Sequence, residues 1–286
     1  MKNNTVKNLS WYPGHMKKAL DQISITLKVV DMVIEIGDAR APVSSLNSLL
    51  DKVVSNKKRV LVFSKKDLAD LSKLDKFINF YKNLGREVFV LDLKNKEEVK
   101  SLVKFLENTK TTKEERYLRN GLIPPAKRAM VIGIPNVGKS TLINTLANKN
   151  KASVANKPGH TRSQQLIKAS NKLELIDTPG ILQPNYENKT AIMHLAFLGS
   201  VKDEAINIDE VYEQLVDFIL KNLLKEIYAR YKIDSSILLN KENFYLEIAK
   251  SRNFVLSNNA FDIIRAEQTV LKEFRAGLLG RVVVDD

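Results

Sequence analysis

The sequence contains no cysteine, which excludes disulfide bonds, cysteine-ligated zinc and iron–sulfur clusters. Histidine is almost as scarce, because only His15, His160 and His194 are present and no two have the spacing of a helical metal motif. No apolar run approaches the ~18 residues of a membrane span, and the basic N-terminus lacks the apolar stretch of a signal peptide. These absences predict a cytoplasmic protein with no membrane partner.

Acidic residues are missing from long stretches of the chain, whose 286 residues carry a net charge of +13. Residues 116–173 include 11 basic residues and no acidic one, whereas residues 200–286 carry a net charge of −3. A stretch of one sign is typical of a positively charged face that meets a polyanion, although a solvated lysine-rich surface would produce the same pattern. We therefore expect a polyanionic partner or substrate for the first part of the chain.

Short apolar runs alternate with amphipathic segments through the first 180 residues. The runs have the length and branched residues of strands buried on both faces: Met32–Ile36, Val60–Phe63, Val88–Leu91, Ala129–Ile134 and Leu173–Ile176. The segments between them predict helices: Leu46–Val54, Lys73–Leu84, Glu97–Leu106 and Ser140–Ala147. This alternation predicts an α/β fold with a parallel sheet and helices on both faces. Thr109–Pro125 is predicted to be a polar connection.

The pattern becomes helical after about Pro184. Val211–Tyr231, Phe244–Lys250 and Asn259–Phe274 have apolar residues at helical spacing, and only Val282–Val284 suggests a strand. A chain of this length is expected to form about two domains. We predict an α/β domain over residues 1–185 and a small all-helical domain over residues 190–286.

The strongest motif is GIPNVGKS, from Gly133 to Ser140, which fits G-x-x-x-x-G-K-[ST] between a predicted strand and a predicted helix. Its glycines let the backbone curl so that the amides face a phosphate, and the helix N-terminus adds a favourable dipole. Lys139 should reach the β- and γ-phosphates, and Ser140 should ligate magnesium. The expected nucleotide-binding residues of this loop are Asn136, Val137, Gly138, Lys139, Ser140 and Thr141.

A second motif, Asp177-Thr178-Pro179-Gly180, ends the predicted strand LELI and lies 38 residues after Lys139. Alone, D-x-x-G is weak, but this spacing from a phosphate loop makes it specific. Asp177 is expected to hold magnesium directly or through water, and Gly180 to offer its amide to the γ-phosphate. Thr161, in KPGHTRSQQ, is the candidate switch hydroxyl that completes the magnesium coordination.

A third motif, Ser64-Lys65-Lys66-Asp67, follows the predicted strand VLVF and resembles the N-K-x-D element of GTPases. The Asp67 carboxylate can accept from guanine N1–H and the exocyclic amine, a donor pair that adenine lacks, and the stem of Lys65 can cover the base. Ser64 replaces the expected asparagine, so we expect hydrogen bonds that brace the loop to be lost. A solvated surface turn would explain this tetrapeptide alone about as often. The next base-contacting element is expected near Asp92-Leu93-Lys94.

The order of these motifs is the reverse of the usual arrangement, because base recognition precedes the phosphate loop. The sheet tolerates such a circular permutation, since its natural ends lie close in space. With WYPGHMKKA, DARAPVSS, KPGHT and FRAGLLGR, the motifs resemble the circularly permuted GTPases of ribosome assembly, of the YlqF type, over nearly the whole chain. This resemblance implies GTP hydrolysis linked to late maturation of the large (50S) ribosomal subunit. The implied partners of this monomer are 23S rRNA and large-subunit proteins, not DNA.

Two departures suggest hypotheses about hydrolysis. Ile181 stands where many GTPases place a glutamine after D-x-x-G, so the free protein should hydrolyse GTP slowly. The precursor subunit is therefore hypothesised to order His15 near the water, and the alternative is that His15 and Trp11 only pack or touch RNA. Asn136 matches the phosphate-loop asparagine of potassium-activated GTPases, which suggests a potassium ion near the phosphates.

RNA binding is expected to be largely electrostatic. The candidate RNA contacts are Lys17, Lys18, Arg116, Arg119, Lys127 and Arg128 in the first domain, with Arg265, Lys272, Arg275 and Arg281 in the second. Two alternatives remain open. One is another phosphate-loop enzyme, such as an ATPase or a small-molecule kinase, and the other is an RNA-binding module with a vestigial nucleotide site.

Overall fold

The computed structural model describes residues 21–54, 57–147, 166–178, 188–233 and 241–285. The chain divides into two compact units, one formed by Ser10–Glu187 with Asp285–Asp286 and the other by Met1–Leu9 with Asn188–Val284. A search of the described helices finds none with the length and apolarity needed to cross a membrane.

The first unit is built on a mixed sheet. Its described strands are β1 (Met32–Asp38), β2 (Lys58–Ser64), β3 (Glu87–Val90), β4 (Lys127–Ile132), β5 (Leu166–Lys168) and β6 (Leu173–Asp177). They lie in the order β3-β2-β1-β4-β6-β5, and every neighbouring pair is parallel except β5 with β6. The five predicted strands are present. The sequence analysis missed β5, which has only three residues and pairs on one side.

The central strand explains why these segments form strands. All seven residues of β1 are buried, since helices cover both faces of a parallel sheet. On one face, Val33 belongs to a core cluster with Leu27, Leu50 and Met130. Glu35 is the polar exception, and its carboxylate is 2.5 Å from the Arg59 guanidinium, so this buried charge is paired.

The helices of this unit begin at side-chain caps. Residues 21–27 are helical, and the following helices are α1 (Ser48–Val53), α2 (Leu71–Asn83), α3 (Lys96–Asn108), α4 (Thr112–Arg119) and α5 (Lys139–Ala147). Asp70 caps α2, Asn95 caps α3 and Thr111 caps α4, each accepting from a backbone N–H of the first turn. The prediction of a plain polar connection over Thr109–Pro125 is therefore wrong, because α4 lies within it.

The second unit is described as helices α6 (Lys189–Phe197), α7 (Ile208–Asn222), α8 (Leu224–Tyr231), α9 (Phe244–Ser251) and α10 (Ile263–Arg275). The rings of Phe197, Phe218 and Phe274 pack with centroids 5.8 to 6.3 Å apart.

Two predictions for this unit are wrong. The segment Val211–Tyr231 is not one helix, because the helical conformation is interrupted at Leu223, where φ is −132°. Leu223 is buried and fits the helical spacing, so periodicity alone does not reveal the break. Val282–Val284 is buried but forms no strand in the described part of the chain.

Candidate nucleotide-binding site

The sheet topology places the predicted motifs at one edge. Parallel strands β1, β2, β4 and β6 end side by side, and ligands of open α/β sheets bind beyond the carboxyl ends of the strands. Asp38 and Ser64 are partners in the register at the ends of β1 and β2. The loop Gly133–Ser140 follows β4, and Asp177 ends β6.

Glycines are required where the phosphate loop leaves β4. Gly133 has φ of 151°, and a Cβ there would lie 2.4 Å from the carbonyl oxygen of Ile36. Gly138 has φ of 107°, and a Cβ there would lie 3.1 Å from Leu93 Cδ1. Both positions therefore exclude an ordinary side chain. The loop passes directly over the end of β1 and beside the segment that contains Leu93.

Lys139 is buried and points back into its own loop. Its Nζ donates to the carbonyl oxygens of Ile134 at 2.7 Å and Gly133 at 3.1 Å. Burial lowers the pKa of the Lys139 ammonium to about 8, although the negative charge of Asp177 opposes the shift. The loop thus holds a poorly solvated cation, which the negative charge of a phosphate would stabilise.

Asp177 fits a magnesium ligand. Burial raises the pKa of its carboxyl group, against the opposing effects of the Lys139 charge and the Thr178 N–H. Its Oδ1 is buried and has no hydrogen-bond partner among the described residues. Ser140, the other described candidate ligand, is exposed in the first turn of α5. A carboxylate oxygen without a partner and a hydroxyl are donors that suit Mg²⁺. Thr161 and Gly180, the remaining predicted members of this half, lie outside the described residues.

Ser64 links base recognition to the phosphate loop. Its Oγ lies 2.5 Å from the carbonyl oxygen of Val137 and 3.0 Å from that of Gly37. The Ser64 hydroxyl therefore braces the loop, although the hydrogen bonds of the longer asparagine amide are lost. A short hydroxyl suffices because the end of β2 lies against the loop, where Gly138 has no side chain.

Lys65 belongs to a buried charged network that the sequence analysis did not assign. Its Nζ lies 2.8 Å from Asp38 Oδ2. Arg40 donates to both carboxylate oxygens of Asp38, from Nε at 3.0 Å and Nη2 at 2.9 Å. Burial alone would raise the pKa of Asp38, but Arg40 and Lys65 outweigh it and hold the value at about 2. Burial lowers the pKa of Lys65, and the Asp38 charge opposes that shift. The available signal was an aspartate ending a buried strand, two residues before an arginine.

Asp67 lies close to this network in the chain but, unlike the buried Asp38, is exposed to solvent. It is in the short 3-10 turn Lys66–Leu68, directly after Lys65, whose φ is 57°. The Asp67 side chain is exposed, and no described residue hydrogen-bonds its carboxylate. Both oxygens can therefore accept from a base.

The segment predicted to follow, Asp92-Leu93-Lys94, also reaches this site. The carbonyl oxygen of Leu93 accepts from Thr145 Oγ1 of α5 at 2.8 Å. Glu98 accepts from the Asp92 N–H at 3.0 Å through Oε2 and pairs with Lys66 at 3.1 Å through Oε1. The segment is therefore bonded to both the base-recognition turn and the helix that follows the phosphate loop.

The remaining nucleotide-loop candidates are at the loop apex and the start of α5. Asn136 is exposed with φ of 61°, Val137 is buried, and Thr141 is half-buried in the first turn of α5. His15 lies outside the described residues, as do Lys17 and Lys18.

Two of the predicted RNA contacts are used inside the protein. Lys127 is buried, and its Nζ bonds to the carbonyl oxygens of Glu107 and Thr109 and to the Glu114 carboxylate. In the helical unit, Arg275 pairs with Asp203 at 2.7 Å. The prediction for Lys127 is wrong, because a buried cation lacks the exposure that phosphate contact requires. Arg275 is half-buried and paired with Asp203, and its RNA contact stays a prediction. Arg116, Arg119, Arg265, Lys272 and Arg281 are partly or fully exposed.

Comparison with known proteins finds GTPases that are similar to this chain over nearly its whole length. A family model described as a 50S ribosome-binding GTPase matches residues 128–241. The chain is 35% identical over 277 residues to ribosome biogenesis GTPase A of Bacillus cereus, covering 97% of this chain and 93% of that protein. It is 32% identical over 296 residues to mitochondrial ribosome-associated GTPase 1 of Mus musculus, covering 96% of this chain and 89% of that protein. The solved structure of GNP-bound YlqF from T. maritima aligns with a TM-score of 0.65 at 26% identity, covering 94% of this chain and 99% of that chain.

Proposed function

Because the chain belongs to the ribosome biogenesis GTPase A family, we propose that it is a GTP-controlled assembly factor for late maturation of the 50S ribosomal subunit. Family membership makes it a GTP-hydrolysing enzyme of ribosome biogenesis. In this proposal the protein is a monomer in the cytoplasm that docks with GTP on immature subunits through 23S rRNA and large-subunit proteins. Hydrolysis then releases it, because contacts that depend on the γ-phosphate are lost.

The contact between Ser64 Oγ and the Val137 carbonyl oxygen, at 2.5 Å, carries the proposal. It brings the base-recognition turn and the phosphate loop to one edge of the sheet, as a single nucleotide requires. Asp67 then accepts from the Watson–Crick edge of guanine, and the stem of Lys65 covers the ring. The loop from Asn136 to Thr141 surrounds the phosphates.

In the proposed hydrolysis, Lys139 neutralises the β- and γ-phosphates. Ser140 and Asp177, with Thr161, would hold magnesium, which supplies positive charge at the phosphates when bound. The Gly180 amide donates to the γ-phosphate.

Since Ile181 cannot orient water, His15 is proposed to do so when the precursor subunit orders it.

Base recognition is tested by Asp67→Asn. Asparagine keeps one acceptor oxygen but loses the negative charge and sets an N–H donor against a guanine donor, which should weaken GTP about 100-fold or more. The asparagine amide can donate to the 2-carbonyl of xanthine, so xanthosine triphosphate should bind better than to the parent. The matched control is Asp75→Asn, an exposed aspartate of α2. An unchanged preference among GTP, ATP and xanthosine triphosphate would favour the ATPase or kinase alternative.

Coupling to the ribosome is tested by GTP turnover with and without precursor 50S subunits, and by co-sedimentation with a GTP analogue or GDP. Stimulated turnover and retention only with the analogue are expected. An absence of GTP turnover, both with and without subunits, would favour the RNA-binding module with a vestigial site. If His15→Ala keeps the stimulation, His15 does not orient the water. Equal rates in sodium and potassium would exclude the potassium ion proposed at Asn136.

A further inference from the structure

A cleft of about 680 Å³ opens at the edge of the sheet opposite to the nucleotide site. It is lined where adjacent parallel strands begin, by Asp31 before β1, Lys57 and Lys58 at β2, and Arg128 at β4. The seven residues of β1 separate the cleft from the nucleotide edge by roughly 20 Å. The cleft is therefore a separate surface that shares no residue with the nucleotide site.

The charge of the cleft is strongly one-sided. Its basic residues are Lys28, Lys57, Lys58, Lys110, Lys113 and Arg128. Lys57 is fixed by donating to the carbonyl oxygen of Val30 at 2.7 Å, and Arg128 pairs with Glu174 at 3.0 Å. Among the described lining residues the one acid is Asp31, and it already accepts from the Arg128 backbone N–H at 2.8 Å.

Four of the lysines keep their charge available. Within the described ranges of the chain, Lys28, Lys58, Lys110 and Lys113 are exposed and make no salt bridge with a carboxylate. They project from three parts of the unit: the turn before β1, the start of β2 and the segment around the start of α4. The sheet thus gathers into one concave surface cations that lie far apart along the chain, which concentrates positive potential there.

The lining also indicates which part of a polyanion it fits. None of the described residues that line the cleft has an aromatic ring, so this lining offers no surface on which a base would stack. Ammonium groups and the exposed hydroxyl of Thr112 are suited to phosphate oxygens. We propose that this cleft binds the phosphodiester backbone of ribosomal RNA, an inference that rests on the proposed docking of the protein on precursor subunits. The contact positions the protein without reading sequence.

The test compares two triple variants that change the net charge equally. The cleft variant is Lys28→Gln, Lys58→Gln and Lys113→Gln, and the control is Lys82→Gln, Lys96→Gln and Lys104→Gln on exposed positions of α2 and α3. Binding is measured to precursor 50S subunits with a GTP analogue and to a mixed-sequence 20-nucleotide RNA over a salt series. Affinity for GTP is measured in parallel.

The cleft variant should bind both probes about tenfold or more weakly, and its slope of log K against log salt should fall by about 2. The control should stay within about threefold, and GTP affinity should be unchanged in both variants. Equal losses in the two variants would overturn the proposal in favour of general charge attraction. Full competition of RNA binding by inorganic pyrophosphate at the cleft would overturn it in favour of a small-anion site.

The outcomes for the parent protein separate the two proposals. If the parent binds precursor subunits and the cleft variant binds them equally well, the cleft proposal alone is wrong. If the parent itself does not bind precursor subunits with the GTP analogue, the proposed function fails, and the role of the cleft in docking fails with it.

Discussion

On the base side of the nucleotide site, the buried Asp38 has cationic partners for both carboxylate oxygens, whereas on the phosphate side Asp177 Oδ1 is buried without a hydrogen bond from a described residue. The cations differ in the same way. Lys65 is paired with Asp38 at 2.8 Å, but in the described part of the chain Lys139 donates only to loop carbonyl oxygens, and burial lowers its pKa to about 8. The described residues of the base side thus pair their buried charges with each other. Those of the phosphate side leave Lys139 and Asp177 to be paired by a bound ligand.

This difference indicates that the base side provides a fixed geometry for base recognition, whereas the phosphate side provides charges that the ligand compensates. The base side can be rigid before the nucleotide arrives, because discrimination between bases needs a fixed acceptor geometry. The phosphate side keeps a poorly solvated cation and a carboxylate, whose electrostatic cost is recovered when phosphate and a metal ion bind. Substitutions on the two sides should therefore affect different measurable quantities.

The largest effect is expected for Asp38→Ala. The buried Arg40 and the half-buried Lys65 would lose their counter-charge, and breaking one side of a buried charged network costs about 3–5 kcal/mol. The free energy of unfolding, measured by urea denaturation without nucleotide, should fall by that amount. Asp31→Ala, at the opposite edge of the sheet, serves as a comparison. A loss below about 1 kcal/mol for Asp38→Ala would mean that the network does not organise the base side.

Lys139→Met should show the opposite pattern. Without the ammonium, affinity for GTP and GDP should fall about 100-fold, because charge-assisted hydrogen bonds to phosphate are lost. Methionine keeps the apolar stem and removes a cation whose charged form burial disfavours, so unfolding without nucleotide should change by less than about 1 kcal/mol. Nucleotide titration and denaturation of the same sample measure both quantities. A large loss of stability would show that Lys139 stabilises the fold without nucleotide, as Asp38 does on the base side.

Acid should weaken the base side in a defined pH range. The pKa of Asp38 is about 2 in the folded protein, against an ordinary value of 3.8. A depressed carboxyl pKa stabilises the fold fully above the unfolded value, and this contribution is lost as the pH falls from about 4 to about 2. The expected loss is about 2 kcal/mol. The difference in unfolding free energy between the parent and Asp38→Asn should shrink across this range, and a constant difference would contradict the assignment.

The smallest effect is expected at the joint between the two sides. Ser64→Ala removes the donor that faces the carbonyl oxygens of Val137 and Gly37, which should cost about 1–2 kcal/mol of stability and weaken GDP several-fold. Ser101→Ala, on the exposed face of α3, is the control. Wild-type affinity in Ser64→Ala would indicate that the two sides hold their positions independently.

The fold was predictable where the sequence pattern is strong. Long apolar runs such as Ala129–Ile134 predicted strands, because a strand buried on both faces needs apolar residues at every position. The missed elements have weak local patterns. Leu166–Lys168 is a three-residue edge strand, and α4 is short and mostly charged, so its formation depends on the Thr111 cap and on packing. The helix interruption at Leu223 cannot be predicted from the spacing of apolar residues, because Leu223 is itself apolar.

The phosphate side of the site was more predictable than the base side. Gly133, Gly138 and Lys139 belong to one continuous motif whose conformation follows from local sterics. The role of Asp38 was missed because its partner Lys65 is 27 residues away along the chain, and its own sequence neighbours do not reveal that partner. Similarly, the consequence of serine at position 64 depended on how closely β2 approaches the loop.

By itself, the sequence determined the α/β class of the first unit and the phosphate loop, because strand hydrophobicity, glycine conformations and the loop lysine are properties of contiguous residues. Only the tertiary structure decided that Ser64 meets Val137, 73 residues further along the chain, and that scattered lysines share a cleft at the far edge of the sheet. The physical reason is that strand order and register, which arise from packing the whole sheet, set distances between residues that are remote in the chain.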